Sequence, residues 1–371
     1  MDFKRYFDAY SSNSLAGSSN QYFFENIGGE EQLSRSFYRI ERGGRRRYSL
    51  LFSDMISSPF RSLIAPGTVI DGWEVLEARV GRCAALGADA EMENAVMDEE
   101  IRVEWLSELR FDGMTGYRPF GGEVFYSDGV ELEFQRGEFL CLEIKVRGER
   151  VPCHPESQLP VFVSRGGKWE YSTLAPIAEM IGTDGEARRG RIGFLGDSIT
   201  QGCGAGHNTY AHWNARLASF IGEDYSYHNL GIGYGRAEGA ATDGIWLKKA
   251  KENDTVFLCF GVNDINADRT ADEVIGDLNT VIDKLTEAGC RIILQTMPPF
   301  NYPPQREAVW GEVNRRIMTE LSGKVAFTFD CVPLLSESAE KPHVARYGGH
   351  PNSEGCHVWA KALYEAVRNL F

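Results

Sequence analysis

The chain has 371 residues, more than one hydrophobic core usually serves, so two domains are expected. Its 43% hydrophobic and 25% charged residues are those of an ordinary globular protein, and a formal net charge of -14 argues against nucleic acid or an anionic membrane surface as a partner. Residues 1–14 lack a long apolar core after a basic start, and no apolar stretch is long enough to span a bilayer, so a cytoplasmic chain is expected. In chain order, residues 1–40 read as a helical or irregular lead-in. Between 41 and 185, short runs at 48–56, 69–80, 103–111, 130–134, 140–146 and 160–164 carry strand signals, the clearest with a two-residue rhythm. Turn signals such as Ser127-Asp128-Gly129 and Arg136-Gly137 separate them, which predicts an antiparallel β-sandwich. Arg45, Arg46 and Arg47 read as a solvated strand edge or turn. Residues 182–190, rich in glycine and charge, are the linker candidate.

From 190 onward the texture changes. Apolar runs beginning near Arg191, Ser226, Thr255, Arg291 and Val325 alternate with amphipathic stretches at 271–285 and 308–321, and the chain closes with a helix over 353–370. Five strands with intervening helices imply an α/β domain with a doubly wound parallel sheet, because parallel neighbours need crossover connections. Eight cysteines at 83, 141, 153, 203, 259, 290, 331 and 356 lack paired metal-ligand spacing, so buried free thiols in a reducing compartment explain them better than disulfides or a metal site.

The apolar run that stops at Gly196 puts Ser198 on the turn that follows, at the end of the sheet where α/β proteins keep their chemistry. Asp197 beside it and Gly202 after it let the backbone turn sharply. Three further pieces follow: Asn229 through Gly235 with glycines at 231, 233 and 235, then Gly261-Val262-Asn263-Asp264, then His350-Pro351-Asn352. The glycines do not have the spacing of a dinucleotide-binding turn, and no cofactor is expected.

These four blocks resemble those of the GDSL or SGNH family of serine esterases, over residues 191–371. The resemblance implies a flavodoxin-like five-stranded catalytic domain over 190–371, and a jelly-roll-like sandwich before it is a layout of carbohydrate-directed members. It implies a serine esterase that removes a short acyl group, most simply acetyl, from a carbohydrate. The partner would be a small-molecule or oligosaccharide ester. A lipase or long-chain thioesterase is the alternative within the hydrolases, and a non-catalytic glycan-binding relative the alternative outside them.

Ester hydrolysis needs a nucleophile, a base and donors for the oxyanion. Ser198 is the expected nucleophile and His350 the expected general base, since an imidazole titrates near neutrality. The Ser198 amide, a glycine amide of the second block and the Asn263 side chain are the expected oxyanion donors. The family's spacing from Asn229 falls on Tyr234; a one-residue insertion would favour Gly235, with Gly233 next, and Gly235 is preferred. The aspartate usual three residues before the histidine is replaced by Tyr347, which leaves a Ser-His dyad with a backbone carbonyl orienting the ring, or an acid from elsewhere; Glu354, near His350 in sequence, reads as part of the final helix and Asp264 as a brace of its own loop. Asp197 and Asp264 are expected to support the site. His207, Phe300 and Tyr302 are candidates to line it, the last two from a proline-rich loop after the fourth strand.

Overall fold

The computed structural model describes residues 1–26, 28–84, 86, 101–185, 189–335 and 349–371. Contacts divide the chain into two compact units, Met1–Ile56 with Ile64–Glu186, and Ser57–Leu63 with Ala187–Phe371.

The first unit is built of antiparallel sheets, as the alternating sequence demands. One has six strands in the order Lys168–Tyr171, Val161–Arg165, Gln32–Arg39, Phe139–Gly148, Trp73–Cys83 and Glu104–Glu108. A second joins Ser11–Ser14, Met180–Thr183, Gly44–Ser53 and Val124–Tyr126, with Val130–Phe134 also paired to Gly44–Ser53. Arg150–Cys153 pairs with Tyr22–Glu25 in a separate ribbon. Phe139–Gly148 shows why the pattern works: Leu140, Leu142, Ile144 and Val146 are fully buried on one face, while Glu143 on the other takes Arg35 and Arg79 as ion partners.

The structure differs from the sequence reading at both ends of this unit. Residues 1–40 are no lead-in: Gln32–Arg39 runs between Val161–Arg165 and Phe139–Gly148, and the buried Tyr6 donates its hydroxyl to the Ser49 carbonyl at 2.8 Å. Ser34, Arg35 and Ser36 are buried polar residues, so this central strand carries no hydrophobic alternation to read. At the other end, Gly182 belongs to the strand Met180–Thr183 and not to a linker. A Cβ there would strike the Tyr6 hydroxyl and lie 2.9 Å from the Ser49 carbonyl oxygen, so the glycine serves close packing.

In the second unit, parallel strands lie side by side in the order Tyr225–Gly231, Gly190–Gly196, Thr255–Cys259, Arg291–Gln295 and Phe327–Phe329. Numbered along the chain this order is 2-1-3-4-5, the flavodoxin-like arrangement, which leaves a crevice at the carboxyl ends where the order reverses. All five strands begin within two residues of the expected positions. Trp213–Ile221, Ala271–Glu287, Pro304–Arg316 and Ser353–Val367 are the principal helices. Ala271–Glu287 starts with a full capping box, in which Thr270 and Glu273 satisfy each other's amides. Trp213 stacks on Trp359 at 4.9 Å between centroids, and the Trp359 indole donates to Gln295 at 2.9 Å, so the core is pinned in register.

Seven cysteines are buried, Cys203 is half-buried, and none of the eight is in a disulfide. Among the described residues no helix is long and apolar enough to cross a membrane, and no group of three metal-ligating side chains is assembled.

Candidate active site

The strand Gly190–Gly196 stops because the next residues cap a helix. Asp197 has extended backbone angles and accepts the Ile199 amide at 3.0 Å, so Ser198 becomes the first residue of the short helix Ser198–Gln201. An amide in that first turn has no intrahelical acceptor and is available to a ligand. Gly202 ends the helix at φ 119°, a conformation that favours glycine. Asp197 is buried, and burial pushes its carboxyl up to about 7, with the nearby Asp264 adding to the effect.

The Ser198 hydroxyl oxygen lies 2.7 Å from Nε2 of His350. The histidine precedes the helix Ser353–Val367, whose N-cap Asn352 accepts the Gly355 amide at 2.9 Å, while the Ser353 hydroxyl donates to the Ala205 carbonyl at 2.8 Å. Gly204 backs the imidazole: a Cβ there would come within 2.6 Å of the His350 Cβ. Phe300 stands edge-to-face with the imidazole, centroids 5.9 Å apart at 79°.

The second block packs directly against the serine turn. The Ile232 amide donates to the Gly196 carbonyl at 3.1 Å, and Gly231 is so close to the backbone of Thr200 and Gln201 that no side chain fits. Both glycines expected as oxyanion donors lie in this turn. The Gly233 amide donates to the Gln201 side chain and the Gly235 amide to the Ile232 carbonyl at 3.0 Å, so both already have acceptors. Between them Tyr234 adopts φ 60°, the left-handed region that non-glycine residues rarely visit. The turn closes from Ile232 to Gly235 around it.

Asn263, in the helix Val262–Asn266, donates from Nδ2 to the Gly235 carbonyl at 3.1 Å. The third block thereby holds the second. Asp264 makes the same connection from beneath, accepting the Ala237 amide at 3.0 Å and pairing with Arg269 at 2.8 Å. It is fully buried, and burial raises its carboxyl against the lowering effect of those two donors.

Other candidates fall elsewhere. Tyr302 is buried and donates its hydroxyl to the Val262 carbonyl at 2.8 Å, so it braces the loop and offers no open surface. The same loop is held by the helix Pro304–Arg316, whose Trp310 indole donates to the Pro298 carbonyl at 3.1 Å. His207 is exposed on the loop after Gly202. Glu354 sits in the first turn of the final helix, and Tyr347 lies outside the described residues. Gln201, which takes the Gly233 amide, was not singled out from sequence; no motif logic marks a glutamine that works as a local brace.

Residues 194–358 match the model of a family described as GDSL-like lipase/acylhydrolase. No curated protein sequence matches the chain. Several solved structures are similar to about half of it. A member of the lipolytic G-D-S-L family from Veillonella parvula is 20% identical, covering 48% of this chain and 98% of that one, with a TM-score of 0.42. A carbohydrate esterase family 3 structure from Talaromyces cellulolyticus is 20% identical, covering 48% and 97%, with a TM-score of 0.39. A variant of an acetyl-xylooligosaccharide esterase from Geobacillus is 19% identical, covering 48% and 94%, with a TM-score of 0.38.

Proposed function

We propose, from the premise that residues 194–358 form a domain of the GDSL-like lipase/acylhydrolase family, that the protein is a serine esterase acting through an acyl-enzyme at Ser198. One observation carries this reading: the 2.7 Å contact between the Ser198 hydroxyl and His350. A nucleophile and base already within hydrogen-bond reach need no rearrangement to react. Oγ attacks the ester carbonyl as Nε2 takes its proton, and the tetrahedral oxyanion is held by the Ser198 amide, the Tyr234 amide and Asn263 Nδ2. The imidazolium then gives that proton to the leaving alcohol. Water, deprotonated by the same imidazole, releases the acid and restores the hydroxyl.

The alcohol leaves from the side of the histidine, because that ring protonates it. Phe300 stands beside that ring and offers an apolar surface of the kind a sugar's C–H face packs on. Together with the net charge of -14, which disfavours polyanionic substrates, this supports a neutral carbohydrate bearing a short acyl group, acetyl being the simplest. Mass spectrometry of a panel of acetylated oligosaccharides, before and after incubation, tests the acceptor. Loss of acetyl from one sugar class supports the reading; rates on p-nitrophenyl esters that climb from acetate to long chains, with no sugar deacetylated, would replace it with a lipase or thioesterase.

A further inference from the structure

The segment Ser57–Leu63 is far in sequence from every catalytic block, yet its contacts group it with the second unit. Three of its contacts there fall on residues 233–236. The Ser58 hydroxyl donates to the Gly233 carbonyl, the Phe60 ring stands edge-on to Tyr234 with centroids 5.4 Å apart at 87°, and the Arg236 guanidinium donates to the Ser62 hydroxyl at 3.0 Å. Ser58 and Phe60 are buried. Three consecutive contacts thus bracket the one residue of the loop that holds a left-handed conformation without being glycine, Tyr234 at φ 60°. Arg61 and Ser62, at φ 49° and 57°, are left-handed as well, so the segment is itself held in a sparsely populated conformation. Strain of this kind persists where surrounding contacts over-determine it, and it gathers at functional sites.

A glycine in the oxyanion loop would reach φ 60° without help, whereas a tyrosine must be kept there. We infer that Ser57–Leu63 is a strap that fixes the oxyanion loop, making Phe60, Ser58 and Ser62 positioning residues for ester cleavage. The inference rests on the reading of Ser198 as an esterase nucleophile with the Tyr234 amide as donor. It goes beyond it in assigning a catalytic duty to a segment from the N-terminal half of the chain. Phe60 acts through the Tyr234 ring and touches no reacting atom, so its loss should lower transition-state stabilisation and leave substrate binding alone.

The test uses the full chain and p-nitrophenyl acetate. Phe60→Ala is expected to lower kcat about tenfold or more with KM within about twofold, and Phe60→Tyr, which keeps the ring edge, to recover most of it. Inactivation by diethyl p-nitrophenyl phosphate, whose phosphoryl oxygen takes the oxyanion position, should slow in parallel. Should Phe60→Ala fail to fold, Phe60→Leu and Ser58→Ala carry the same expectation with smaller losses. A folded variant of either kind with wild-type kcat and inactivation rate, or with a change confined to KM, overturns the strap. A wild-type chain without Ser198-dependent esterase activity would instead sink the functional reading beneath it.

Discussion

The hydroxyl of Ser198 and the Nε2 of His350 are 152 positions apart in sequence and 2.7 Å apart in space. For the hydroxyl to donate, Nε2 must be bare and the ring proton must sit on Nδ1, the tautomer a general base requires. Ser198→Ala and His350→Ala are each expected to lower kcat/KM on p-nitrophenyl acetate by about four orders of magnitude or more, with circular dichroism and melting temperature unchanged. Residues that act as a unit are non-additive, so the double variant should be no worse than the poorer single one. Additive losses would mean that the two side chains serve separate steps.

Asn263→Ala should lower kcat about 100- to 1000-fold at nearly constant KM, the usual consequence of losing one oxyanion donor. The Nδ2 of Asn263 also holds the Gly235 carbonyl at 3.1 Å, so part of this loss comes from loosening the second block. A kcat within tenfold of wild type would remove Asn263 from the site.

Tyr234 offers a test of backbone geometry separate from ring chemistry. Tyr234→Val and Tyr234→Asn both remove the ring, but asparagine tolerates the left-handed region and a β-branched residue does not. With φ at 60°, the valine variant should lose at least about tenfold more kcat than the asparagine variant. Equal losses would show that the ring, not the main-chain conformation, is what the reaction needs.

The second unit was legible because its strands are short, apolar and punctuated by the motifs themselves: Phe194, Leu195 and Gly196 announce both a buried strand and the turn after it. The first unit was legible where one sheet face is apolar, as in Leu140, Leu142, Ile144 and Val146, and not where burial is polar, as in Ser34, Arg35 and Ser36. Gly182 misled because composition cannot separate a glycine needed for close packing from one in a linker. The amides of the second block pose a related problem. Glycine residue type points to Gly235, whereas which amides already have acceptors and which residue carries a positive φ exist only in three dimensions.

Gly204 should be intolerant of any side chain, for a reason tied to the base. Its φ is 93°, and an added Cβ would lie 2.6 Å from the His350 Cβ and 2.8 Å from the Pro351 carbonyl oxygen. Gly204→Ala is expected to displace the imidazole and lower kcat about 100-fold, a scale at which a shift of about 1 Å is enough. Gly206→Ala is the control, with a similar φ of 87° but with its nearest neighbour the Thr209 methyl at 3.1 Å. If both variants lost kcat equally, backbone strain and not the histidine would be the cause.

Asp197 should make stability depend on pH in the direction opposite to a salt-bridged carboxylate. Burial pushes its carboxyl up to about 7 in the folded chain, against about 4 when unfolded. Between these values the folded state binds the extra proton, so this group's contribution is complete below about pH 4 and is lost as pH rises through about 7. Fully expressed, the displacement amounts to at most about 4 kcal/mol. Asparagine keeps an N-cap oxygen for the Ile199 amide and cannot ionise. The melting temperature of Asp197→Asn relative to wild type should therefore rise steadily from pH 4 to pH 8. A difference that stays flat over that interval, measured in matched buffers, would show that the Asp197 carboxyl titrates where an exposed one does.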